Sequence, residues 1–100
     1  MSGSSGYYST PEYAAVGTTN ASGEVTFTFP TGLFSAPPAV GHSIQSNIPD
    51  LVEGMLIAIS ATSATFRVRR VQVVTVLTLS VLGAPQPYEG ALVHIVARQQ

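Results

Sequence analysis

The chain contains no cysteine and no lysine, and only four arginines and five acidic residues supply its charge. Without cysteine there is neither a disulfide framework nor a thiolate metal site. The four basic residues, Arg67, Arg69, Arg70 and Arg98, leave a net charge of −1. That balance excludes a phosphate-neutralising surface of the kind that holds nucleic acid. The start, MSGSSGYY, has neither the basic segment nor the apolar segment of a secretory signal. The most apolar stretch, residues 71–82 (VQVVTVLTLSVL), is twelve residues long, too short to cross a bilayer as a helix, so no membrane insertion is expected. Charged residues make up 9% of the chain and hydrophobic ones 45%, against about 25% charged in an ordinary soluble domain. A folded domain of 10.4 kDa exposes about 5,400 Å², and so few charges over that area leave apolar patches of the kind that mark partner surfaces. A homo-oligomer or a subunit of an assembly is expected.

What the chain does have is extended, alternating sequence. In residues 24–40, EVTFTFPTGLFSAPPAV, Val25, Phe27 and Phe29 fall on one face and Glu24, Thr26 and Thr28 on the other, the period of a half-buried strand. Pro30, Gly32, Pro37 and Pro38 then leave Leu33 and Phe34 as an apolar plug between breakers, before Val40 resumes an extended run. Residues 39–45 alternate again. Residues 55–60 and 64–70 read as a hairpin joined by Ala61, Thr62 and Ser63, with Phe66 and Val68 inward and Arg67 and Arg69 outward. Residues 71–82 are rich in β-branched side chains and read as one strand, apolar on both faces and therefore needing cover on both. Residues 91–98 close the sheet. Asn20 to Gly23 read as a turn, and residues 46–54 and 83–90 as rim loops. Residues 13–16 read as a first edge strand or as part of an arm. The Gly/Ser-rich residues 2–6 read as a flexible tail, either native or a cloning remnant. The fold class expected is all-β: a single antiparallel β-sandwich of about six to eight short strands over residues 16–100, with an extended flexible or docking N-terminal arm over 1–15.

Candidate chemistry is sparse. His42 and His94 would need to converge with carboxylates, or with symmetry copies, to hold a metal; the alternative is a partly buried histidine bonded to backbone or hydroxyl groups. Asp50 and Glu53 share a loop, but their spacing matches no calcium-loop pattern. No serine sits in a G-x-S-x-G elbow. No catalytic residue, metal ligand or cofactor is therefore assigned, and no enzyme is expected. Arg67 and Arg69, with Arg70, are candidates for a basic edge that takes an acidic glycan or a carboxylate, or else for a solvated row that discourages aggregation. Tyr88 is a candidate for stacking on a sugar, or a pin holding its loop to the sheet. With Asp50 and Glu53, these form the glycan- or receptor-contact candidates. Tyr7, Tyr8 and Tyr13 are candidates for docking the arm on a larger particle.

The segments VTFTFPTGLFSAPPAV, SATSATFRVRR and ALVHIVARQQ resemble the small β-sandwich knobs at the C-termini of bacteriophage fibre proteins, which are similar to the H-type lectin fold. The resemblance rests on Phe29-Pro30, Phe34, Pro37-Pro38, Thr62 with Phe66 and Val68, and the run from Val93 to Ala97, and it covers roughly residues 18–98. It implies a trimer at the virion surface, assembled in the host cytoplasm. Val74, Val76, Thr78 and His94 are then the oligomer-interface candidates, with the tyrosine arm contacting other virion proteins and the rim facing host-surface glycans. Capsid or tail decoration and fibre-tip knob both fit, and a carbohydrate-binding module of a secreted enzyme is the alternative from a different class.

Overall fold

The computed structural model describes residues 11–46, 48, 50–76 and 79–100, with the side chains of 73–82 outside that description. Among the described residues every regular element is a strand and all pairing is antiparallel: β1 (Glu12–Thr18), β2 (Glu24–Thr28), β3 (Ala39–Gln45), β4 (Leu51–Ile59), β5 (Ser63–Val71), β6 (Val73–Val76), β7 (Leu79–Leu82), β8 (Gln86–Pro87) and β9 (Leu92–Arg98). One sheet runs β1-β9-β3 and the other β2-β5-β4, with β8 also on β5. The expected all-β sandwich is what forms, with seven strands in its two sheets.

The alternation read in the sequence sets the two layers. Phe27 and Phe29 from β2 and its end, Ala64, Phe66 and Val68 from β5, and Val93, Ile95 and Ala97 from β9 are all buried in one cluster with Phe34 and Ala91. The inner faces of the two central strands, β5 and β9, therefore meet in the middle of the sandwich, while β1 runs beside β2 and β3 beside β4 at its two sides. Gly17 lets β1 come close to β2, since a Cβ there would lie 2.7 Å from Val25 Cγ2. The corner after β2 behaves as its breakers require. Leu33 N–H donates to the Pro30 carbonyl at 3.1 Å, and Gly32, third in that turn, has φ of 79°, the left-handed value a type II turn demands. The turn folds Phe34 back so that its ring meets Phe29 edge-on at 5.0 Å, and Tyr13 packs edge-on against Phe29 at 5.7 Å from the other side. Edge-to-face pairs of this kind add about 0.5–1.5 kcal/mol to the area they bury.

Several expectations are corrected. Residues 12–15, placed in an arm with 13–16 as an alternative first edge strand, form the first half of β1 at the edge of its sheet and pair with β9, so that the edge-strand alternative holds. Residues 51–54, expected in a rim loop, open β4 and pair with β5. Gln86 and Pro87, expected in the second rim loop, pair with Arg70 and Arg69 as β8; proline is tolerated there because an edge position asks for no donor. Residues 71–82 are not one strand. Val71 ends β5, and β6 and β7 pair with each other from Val73 opposite Leu82 to Val76 opposite Leu79; residues 77–78, between them, lie outside the described set. Among the described residues β6 and β7 form a two-stranded sheet of their own.

Candidate functional site

β5 is the strand on which most of the charge is organised. It lies between β2 and β4, so Arg67 and Arg69 stand on a central strand and not on the exposed edge expected from the sequence. Arg67 is opposite Glu24 of β2, and its Nε and Nη2 donate to Glu24 Oε2 at 3.2 and 2.8 Å. Arg69 is flanked in register by Glu53 of β4 and Pro87 of β8. It makes no ion pair within 4.0 Å among the described residues, whereas Arg67, Arg70 and Arg98 each make one. Arg67 and Arg69 lie in a groove of about 550 Å³ with Glu24, Ser22, Pro85 and Pro87 on its walls. On the same face, farther along β5, Thr65 and Thr26 share a hydroxyl hydrogen bond of 2.9 Å.

The turn at residues 20–23 builds one wall of this groove. Asn20 Oδ1 accepts from the backbone N–H of Ser22 at 2.9 Å and of Glu24 at 3.1 Å, an Asx turn of the kind that short amide side chains favour. Gly23, at φ 76°, accepts through its carbonyl from Val68 N–H at 2.7 Å, and Tyr88 N–H donates to the Val68 carbonyl at 3.0 Å. Gly23 and Tyr88 thus hold β2 and β8 end to end along one side of β5, with the groove over the junction.

Apart from Glu53, opposite Arg69 on β4, the other sequence candidates do not gather here. Tyr88 is half-buried against the core and its hydroxyl lies 3.2 Å from Ser46 Oγ, which is the pinning role. Asp50 is directed to Arg70, at 3.9 Å, apart from Glu53. His42 is opposite Ile95, on the inner face of its sheet, with its ring 4.9 Å from that of Phe66. His94 is opposite Ser43 on the outer face and hydrogen-bonds Gln45 Oε1 at 3.0 Å. The two histidines point to opposite faces of one sheet, and among the described residues no group of three His, Asp or Glu side chains converges. Tyr13 faces the core and is not displayed for docking. Tyr7, Tyr8 and Thr78 lie outside the described residues, as do the side chains of Val74 and Val76.

Glu24, Ser22, Pro85 and Pro87 were not singled out as site residues in the sequence. The exposed phase of Glu24 was legible there, but its partner forty-three residues away was not. Thr19 was also missed. It is buried, its hydroxyl donates to the Tyr88 carbonyl and accepts from Ala91 N–H at 2.9 Å, and it ties the end of β1 to the turn that enters β9.

Among the described residues the apolar exposure expected from the composition is concentrated in two places. Leu51, Met55, Leu56, Ile57 and Ile59 are all exposed on β4, by 38–54%, and among the described residues β4 has β5 on one side only. Val16, Leu92 and Val96 are exposed on the outer face of the β1-β9-β3 sheet, next to the Arg98–Glu12 pair at 2.6 Å. Comparison with protein-family models, with curated proteins and with solved structures finds no match to this chain.

Proposed function

We propose that the protein is a non-enzymatic structural subunit of a bacteriophage particle surface, a capsid or tail decoration protein or a fibre-tip knob, which assembles as a trimer and turns its rim toward host-surface glycans. The observation that carries the assembly half is β4: a nine-residue edge strand whose last five residues are all exposed, four of them large and apolar. Edge strands that stay unpaired are short, carry lysine or proline, or turn charge inward. β4 has one acid, Glu53, and a single register shift between Leu56 and Ala58. Such an edge takes another strand or apolar cover. The apolar stretch 71–82 and the exposed outer face of β9 provide further surface for neighbouring copies, and residues 1–10, with Tyr7 and Tyr8, attach the subunit to the particle. The particle itself is supplied by the sequence resemblance.

Light scattering at micromolar concentration tests the trimer. The expected mass is three times the 10.4 kDa of the chain; a mass equal to one chain removes the assembly reading. The second reading, a carbohydrate-binding module of a secreted enzyme, is favoured by the Arg67–Arg69 groove and the threonine hydroxyls beside it, and it requires no trimer.

A further inference from the structure

The groove over β5 has a chemical asymmetry. Arg69 is half-buried in the groove with Ser22, Pro85 and Pro87; Glu53 stands opposite it in register on β4, yet among the described residues Arg69 makes no ion pair within 4.0 Å. A guanidinium held in a concavity is stabilised by a hydrogen-bonded anion, and among the described residues no carboxylate is hydrogen-bonded to Arg69. Arg67 directs Nε and Nη2 to a single oxygen of Glu24, which leaves its own Nη1 and Glu24 Oε1 without a hydrogen bond among the described residues. Among the described residues the groove thus offers a cation engaged in no ion pair, one spare guanidinium donor and one spare carboxylate acceptor, with the Ser22 hydroxyl at the wall.

We propose that this groove binds a carboxylated sugar, its carboxylate on Arg69 and its ring hydroxyls on Glu24 Oε1, Arg67 Nη1 and Ser22. The spare acceptor decides the class. Glu24 repels a bare inorganic anion that approaches Arg69, but it accepts from a hydroxyl, so a ligand must carry both a negative group and hydroxyl donors. A uronic acid does; sulfate and neutral hexoses each lack one half. The volume of about 550 Å³ is of the size that holds one or two sugar rings, ligand clefts generally running from about 300 to 1,000 Å³. The inference rests on the glycan-binding half of the reading above and is independent of the trimer.

The test is an amide-shift titration of the isotopically labelled full chain with glucuronate, with glucose and with sodium sulfate at matched ionic strength. Saturable shifts confined to Ala21, Gly23, Glu24, Arg69 and Gln86 are expected with glucuronate, with a Kd of about a millimolar, the range of a single small contact set. Glucose gives no saturable shift and sulfate binds at least about tenfold more weakly. Arg69→Gln weakens glucuronate about tenfold or more, one charge-assisted contact being worth that factor, and Arg69→Lys falls between, since it keeps the charge without the fork. Arg98→Gln, on the other sheet, leaves the titration unchanged. Equal binding of sulfate and glucuronate overturns the sugar part; shifts elsewhere on the molecule, no saturation with glucuronate, or indifference to Arg69→Gln overturns the site. If Arg69→Gln does not fold, the wild-type titration repeated in about 0.5 M salt still decides, because binding that does not weaken there does not depend on Arg69. Since the readout is a shift and not a mass, failure of the site and failure of the trimer are told apart.

Discussion

β2 and β4 flank the same strand, yet they are opposite in character. β2 is five residues long and its pattern is complete: Phe27 is buried against Phe66, and Thr26 and Thr28 face solvent. Its outer glutamate is answered by Arg67, and its line along β5 is continued by β8. β4 is nine residues long, and from Met55 to Ile59 both its faces are exposed and apolar. Since both strands pair with β5, the backbone does not make the difference. The side chains of β2 are satisfied within one chain, whereas those of β4 are left without cover among the described residues. A strand that is finished and one that is not, on either side of a shared partner, separate the part of the molecule that makes the fold from the part that is free to meet something else.

The largest test of that separation removes what the two strands share. Phe66 is 1% exposed and pairs with Val25 on one side and Leu56 on the other. Phe66→Ala should lower unfolding free energy by about 3–5 kcal/mol, a large part of what a domain of this size has, read as a lower urea midpoint. A loss under about 1 kcal/mol would mean that the two sheets do not meet around this ring.

Gly23→Ala attacks the β2 side alone. A Cβ at that φ would stand 2.5 Å from the Val68 carbonyl oxygen and 3.0 Å from Tyr88 N, both backbone atoms with little freedom to yield. The strained conformation alone costs about 1–3 kcal/mol. The expected result is that loss or more, with faster amide exchange at Val68 and Tyr88; unchanged protection there would disconnect the turn from the β2–β8 junction.

Ile57→Lys addresses the β4 side and should have the smallest effect on the fold. Ile57 is 38% exposed and lies at the register shift, without a partner of its own on β5. An exposed substitution of this kind changes unfolding free energy by about 0.5 kcal/mol or less, while a lysine on the edge opposes strand addition. The scattering mass should therefore fall toward that of one chain with the thermal midpoint of a dilute sample nearly unmoved. An unchanged oligomer would place the interface elsewhere, on the outer face of β9 or on β6 and β7.

Local order was legible to the extent that it depends on neighbours in sequence. The alternation of Val25, Phe27 and Phe29, the turn at Pro30 and Gly32, the inward Phe66 and outward Arg67, and the 60–63 hairpin turn all follow from period and breaker residues, and all are found. Residues 71–82 were misread for a physical reason. The run holds no glycine, proline or asparagine, and a run apolar on both faces has the same period whether it makes one strand or two. The start of β4 and the pairing of β8 were hidden by turn-forming composition, which describes what a segment permits and not what it lies against. The groove was legible only in halves: Arg67 and Arg69 were visible as an outward pair, while Glu24, Ser22, Pro85 and Pro87 enter it through pairings that join residues far apart in the chain.

By itself the sequence determined that the protein is made of strands, which residues turn inward, and that charge is too scarce to cover it. Those properties are sums over local steps, set by side-chain alternation and by the few residues that break it. Only the tertiary structure decided that, among the described residues, Arg67 makes an ion pair and Arg69 does not, that the two histidines face apart, that the Tyr88 hydroxyl reaches Ser46, and that most of the exposed large apolar side chains lie on β4. Each of these depends on register between strands forty or more residues apart, and register is decided when the two sheets close on Phe66 and Ile95.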